Sequence, residues 1–111
     1  MKKQYAITIV TMTCIAVACN KVTDPVCGLT PQRFSEDVNP IIQNSCATGS
    51  NCHGSGSSAG PGPLLTYDQV KNVAWQIKKA VEDRTMPRGS TLSKEQINII
   101  SCWVENGALN N

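Results

Sequence analysis

The chain is short of nearly everything that builds a large core or a catalytic cluster. Its 111 residues hold one histidine, one phenylalanine, two tyrosines and two tryptophans, with aromatics at 5%. A lone histidine excludes sites built on histidine pairs. No Ser-His-Asp set or paired-carboxylate pattern stands out either. Charge of one sign is also lacking: 10 Lys and Arg stand against 8 Asp and Glu. No basic patch interleaved with aromatics is present, so no nucleic-acid partner is expected. No apolar run is long enough for a comfortable transmembrane span. No alternating apolar–polar stretch reads as a strand, which leaves an all-α fold.

What is there begins with an export signal. Lys2 and Lys3 give a positive start, residues 6–17 are apolar, and Ala16-Val17-Ala18 leads into Cys19. Small residues before a cysteine resemble the lipobox of bacterial lipoproteins, with Ala16 where leucine is usual. Cys14, after Met12 and Thr13, is a weaker rival site, and plain secretion is the simpler alternative. The expected organisation is a signal peptide over 1–18, a lipid-attached tether over 19–32, and a folded domain over 33–111. An acylated Cys19 gains about 0.8 kcal/mol per buried methylene from the membrane. Processing also removes Lys2 and Lys3, so the mature chain carries eight basic and eight acidic residues.

Fewer than 80 residues then remain for the fold. A domain of that size buries a small core and commonly needs a staple or a prosthetic group. Of six cysteines, Cys14 leaves with the signal and Cys19 is acylated. Cys27, Cys46, Cys52 and Cys102 remain in an oxidising compartment, which disfavours free thiols. Either Cys46 and Cys52 bind a cofactor while Cys27 pairs with Cys102, or the four form two disulfides. Spacing alone does not choose.

The residues that bear chemistry are Cys46-Ala47-Thr48-Gly49-Ser50-Asn51-Cys52-His53-Gly54. Two cysteines followed at once by histidine is the grammar of covalent haem attachment. The thiols add across two vinyl groups and the imidazole ligates the iron. The usual spacer is two residues and this one is five, all small or polar, so it can bulge outward while both sulfurs reach the ring. The ligand histidine needs a carbonyl for its other ring nitrogen, expected in the loop between Gly60 and Pro63. That glycine-rich loop, residues 47–63, suits a backbone wrapping a flat group more than a linker. Met86 is the one methionine outside residues 1–18, in the turn Arg84-Thr85-Met86-Pro87-Arg88-Gly89. A lone methionine is ordinarily core filler. Its polar neighbours point instead to a thioether on iron, and His/Met ligation raises the reduction potential.

Three helical segments flank these residues. Residues 35–46 carry Val38, Ile41 and Ile42 on one face, with Ser35 as cap and Phe34 as hydrophobic staple, or Asn39 as cap after a loose turn. Pro40 belongs in the first turn. Residues 66–83 start at Thr66 or Asp68 and carry a stripe of Val70, Val73, Ala74, Ile77 and Val81, with a break near Trp75. Lys71, Lys78, Lys79, Glu82 and Asp83 take the wet side. The last helix opens on the capping box Ser93–Gln96, buries Ile97, Ile100, Trp103 and Val104, and stops at Gly107.

In that order, Asn39-Pro40-Ile41-Ile42, Cys46, Cys52-His53-Gly54, Met86-Pro87 and Trp103-Val104-Glu105-Asn106-Gly107-Ala108 resemble a class I c-type cytochrome. More narrowly, they resemble the cytochrome c-like domain of bacterial envelope lipoproteins, and the likeness spans residues 34–108. The resemblance implies three to four helices wrapped around one haem, with crossing N- and C-terminal helices. It implies that Gly62-Pro63-Leu64-Leu65 is the family's turn, with the Pro63 carbonyl accepting the His53 ring proton. Trp103 would pack on the first helix and the haem edge. Crossing helices would bring Cys27 to Cys102, and that disulfide would contribute about 4 kcal/mol by loop entropy. One covalent haem c, its iron held by His53 and Met86, would make the protein a one-electron carrier rather than an enzyme. Its partners would be redox proteins of the cell envelope, met as a monomer or as a subunit of a complex. It would be lipid-anchored, periplasmic or outer-membrane-associated. Lys71, Lys78, Lys79, Arg84 and Arg88 would form a docking face or be merely solvated. The competing reading is a haem-free structural or binding lipoprotein, stapled by Cys46–Cys52 and Cys27–Cys102.

Overall fold

A computed structural model describes residues 27–111, all helix and loop, with no strand among the described residues. The signal peptide, the acylation site Cys19 and residues 19–26 of the tether lie outside the described residues. No described helix is long and apolar enough to cross a membrane.

Pro40 shapes the first helical segment. In a regular α-helix its ring would run into the carbonyl four residues back, that of Glu36. The turn ahead of it is π-helical instead, Phe34–Val38, with the Asn39 N–H on the Phe34 carbonyl five residues back. Helix α1, Asn39–Ser45, continues directly from it with Pro40 in the first turn. Neither Ser35 nor Asn39 caps this segment, in contrast to the sequence expectation. The Arg33 N–H donates to the Asp37 carboxylate at 2.6 Å, and the Phe34 and Ser35 N–H groups donate to Asn111, each at 2.9 Å. The C-terminal residue thus satisfies N–H groups that a local cap would otherwise take.

Helices α2, Tyr67–Asn72, and α3, Ala74–Glu82, are separated by Val73, where φ is −123° and ψ is 20°. The interruption falls just before Trp75. Thr66 and Gln69 form a capping box at the start of α2. Val70, Ala74 and Val81 are buried, with Val73 and Ile77 at the margin of the core. Lys78 departs from the expected wet side. Its side chain is 13% exposed, paired with Glu82 at 3.0 Å and with Glu105 at 3.2 Å. The Ser101 hydroxyl donates to the same Glu82 carboxylate at 2.7 Å. Two helices packing side by side enclosed a residue that the stripe pattern placed outside.

Helix α4, Lys94–Glu105, starts at the Ser93–Gln96 capping box. Gly107, at φ +96°, ends it, with the Ala108 N–H on the Trp103 carbonyl at 2.8 Å. Helix α4 packs on α3 and on the π-helical turn. Trp103 lies at the centre, 1% exposed, 5.5 Å from the Phe34 ring. Phe34 also meets Tyr67 edge-on at 5.1 Å. The polar ends of this aromatic group are satisfied: the indole N–H donates to the Leu109 carbonyl and the Tyr67 hydroxyl to Ala108. The Cys27–Cys102 disulfide is formed, joining the tether to α4.

Candidate functional site

Helix α1 delivers Cys46 at its C-terminal end, where the thiol is buried and the backbone N–H bonds the Ile42 carbonyl at 2.8 Å. The spacer then loops outward and returns. The His53 N–H donates to the Cys46 carbonyl at 2.9 Å, so the two ends of the motif touch. His53 is 8% exposed and Cys52 is exposed. Both Cys46 and Cys52 are free thiols, so the second disulfide of the competing scheme is not made. Burial pushes the Cys46 thiol up to about 11, and the neighbouring Cys52 adds to the shift.

The imidazole is oriented by the loop. Its Nδ1 lies 3.0 Å from the Gly62 carbonyl. A carbonyl only accepts, so Nδ1 carries the hydrogen and Nε2 keeps its lone pair for a metal. The partner is Gly62 rather than Pro63, the residue carried over from the family turn. Gly62 adopts φ +104°, which glycine tolerates, and this turns its own carbonyl back to the ring. The Leu64 N–H then bonds the His53 carbonyl at 2.8 Å, holding the strap from its other side. Gln43 fastens the same strap to α1 through the Leu64 carbonyl at 3.0 Å.

Met86 faces this assembly from the far end of α3. The helix ends with Arg84 in the left-handed region, at φ +57°. The Arg84 N–H bonds the Val81 carbonyl at 3.2 Å and the Thr85 N–H bonds the Ala80 carbonyl at 3.0 Å. That is a Schellman turn with arginine where glycine is usual. It sends Met86, half-buried, into the space that His53 also lines.

Two adjoining cavities, about 510 and 450 Å³, lie between these walls. Cys46, His53, Gly60 and Met86 line both. The larger is walled on one side by apolar side chains, Leu64, Ile77, Ala80 and Val81. The smaller has the exposed residues Cys52, Asn51 and Arg88 at its lining. Such sizes suit a bound organic group. Trp103 lines neither cavity, because its indole is committed to Phe34 and the Leu109 carbonyl. It packs on the first helical segment through Phe34, as the sequence led one to expect. The part played by α3 was hidden in the sequence: Ile77, Ala80 and Val81 read as core stripe, yet their outer edge walls the cleft.

The donor set fits haem better than a bare ion. Among the described residues no three His, Cys, Asp or Glu side chains converge as a metal cage requires. One imidazole and one thioether would suffice for an iron that brings its own planar ligand, and the two thiols at the cleft would be able to attach it. No protein-family model, curated protein or solved structure matches the chain.

Proposed function

We propose that the chain binds one c-type haem covalently and serves as a one-electron carrier anchored to the bacterial cell envelope through Cys19. The observation that supports this most is the shared lining of one cleft by Cys46, His53 and Met86, with Cys52 at its mouth. On this reading the fold is cytochrome c-like. Haem supplies reversible one-electron chemistry when bound; the chain supplies its setting. Cys46 and Cys52 hold it through thioethers. His53, with Nδ1 held at the Gly62 carbonyl, would give Nε2 to the iron, and Met86 would give its sulfur. A thioether raises the reduction potential. Ile77, Ala80 and Val81 of α3 would give the group an apolar wall, and the exposed side at Cys52 would be where redox proteins of the envelope approach. With His53 and Met86 both given to the iron, the chain would work by electron transfer rather than by binding a substrate at the metal.

The test is the absorption spectrum of the purified, exported chain. The reduced protein is expected to give the sharp α and Soret bands of a low-spin haem. Met86→Ala is expected to shift it to a high-spin form, and His53→Ala to abolish stable loading. A reduced spectrum without these bands overturns the reading. A spectrum unaltered by Met86→Ala removes Met86 from the ligand set.

A further inference from the structure

We infer that Gly49 and Gly54 form a backbone clasp that loops three residues out of the Cys46–Cys52 spacer. The clasp leaves Cys46 and His53 related as the first and fifth residues of one helical turn. In an α-helix each N–H donates to the carbonyl four residues back. With two residues between the cysteines, the histidine N–H would reach the first cysteine's carbonyl in that way. Here the same bond is made, His53 N–H to Cys46 carbonyl at 2.9 Å, but across seven residues. The surplus has to leave the turn without disturbing it.

Gly49 is where the surplus is gathered. Its carbonyl accepts two bonds, from the Cys52 N–H at 3.0 Å and from the Gly54 N–H at 2.9 Å. Gly54 is buried against it so closely that an added Cβ would sit 2.9 Å from the N, C and O atoms of Gly49. Those are backbone atoms, which cannot rotate aside. Thr48, Gly49, Ser50 and Asn51 all face solvent. The spacer is therefore not a slack linker; Thr48 and Asn51 also reach the rim of the smaller cavity. It is a closed loop whose stem reproduces the contact of a regular turn. Gly49 and Gly54 are positioning residues: they set where the two sulfurs and the imidazole stand relative to one another. The role in holding haem rests on the function proposed above; the clasp itself does not.

The experiment is a cycle of two changes in the full exported chain: Gly54→Ala, deletion of residues 48–50, and both together. Amide hydrogen exchange at His53 and Gly54 reads the clasp whether or not haem is loaded, and the absorption spectrum reads the ligand set. Both wild-type amides are expected to exchange at least about tenfold slower than free loop amides. Gly54→Ala should lose that protection and most of the haem loading. The deletion, which restores a two-residue spacer, should keep His53 protected and the low-spin spectrum. Gly54→Ala in the deletion background should be harmless, since the backbone it collides with is gone. Unprotected His53 and Gly54 amides in the wild type overturn the clasp. So does a Gly54→Ala loss of equal size in both backgrounds. Protected amides in a chain that takes no haem support the clasp and overturn the function instead.

Discussion

Single residues carry the contrasts that are simplest to test. Cys46 is buried and its thiol is held up at about 11, whereas Cys52 is exposed. The thiolate is the nucleophile, so in the haem-free chain at pH 8 iodoacetamide should label Cys52 well before Cys46. Raising the pH towards 11 should narrow that gap, as read by peptide mass mapping. Equal rates at pH 8 would contradict the burial of Cys46. Arg84 offers a second test. A non-glycine residue in the left-handed region costs roughly 1–2 kcal/mol, and Arg84 holds it at φ +57° to turn the chain towards Met86. Arg84→Gly should raise stability by about 0.5–1 kcal/mol in urea unfolding, with the slope unchanged. Several residue roles were legible in the chain itself. His53 could be singled out because it is alone and follows Cys52, and Met86 because its neighbours are polar. The Gly62 carbonyl was legible only to within the loop from Gly60 to Pro63. Which carbonyl turns inward depends on a backbone angle that glycine leaves open.

At the scale of helices, the ends matter more than the middles. Ser93 and Thr66 each accept a backbone N–H while Gln96 and Gln69 reach back, so both capping boxes are complete. Ser93→Ala should cost about 1 kcal/mol, measured by thermal or urea unfolding, and Ser93→Asp should recover most of it. These boxes, and Gly107 as a stop, could be read from sequence because each is a local device. The π-helical turn before Pro40 could not, since its N–H groups end on Asn111, which lies 76 residues beyond Ser35. Lys78 was misplaced for a related reason. A stripe drawn on one helix does not show where the neighbouring helix will lie, and α4 brings Glu105 and Ser101 over its rim. Burial lowers the pKa of Lys78, yet the hydrogen bonds and charges of Glu82 and Glu105 outweigh it, and the net shift is upward. A raised lysine favours the fold in its charged form. Its contribution is therefore full below about pH 10.4, the free lysine value, and is lost as pH climbs through the folded value. The stability gap between wild type and Lys78→Met should stay level from pH 7 to about 10 and close above that. A gap that closes at neutral pH would contradict the pairing.

At the scale of the whole molecule, a small aromatic centre and one disulfide hold the cleft walls in place. Trp103 is nearly inaccessible, with Phe34 against its ring and the Leu109 carbonyl on its nitrogen. Trp103→Ala should cost about 3–5 kcal/mol. Since Trp103 lines neither cavity, the loss should appear in unfolding before it appears in a ligand spectrum. The Cys27–Cys102 bond closes a loop with a sequence separation of 75. Replacing both cysteines by serine should cost about 4 kcal/mol by chain entropy. The all-helical fold was legible because no segment alternates. The cleft was legible only as a list of ends, since its apolar wall belongs to a stripe that packing uses on both edges.

The central claim is that Cys46 and Cys52 are spent on haem while Cys27 and Cys102 are spent on each other. The most direct measurement is the intact mass of the exported chain before and after thiol alkylation without reduction. The predicted result is the processed chain plus one haem, with no alkyl group added. A mass without haem, whether it gains two alkyl groups at Cys46 and Cys52 or gains none because they form a second disulfide, would contradict it.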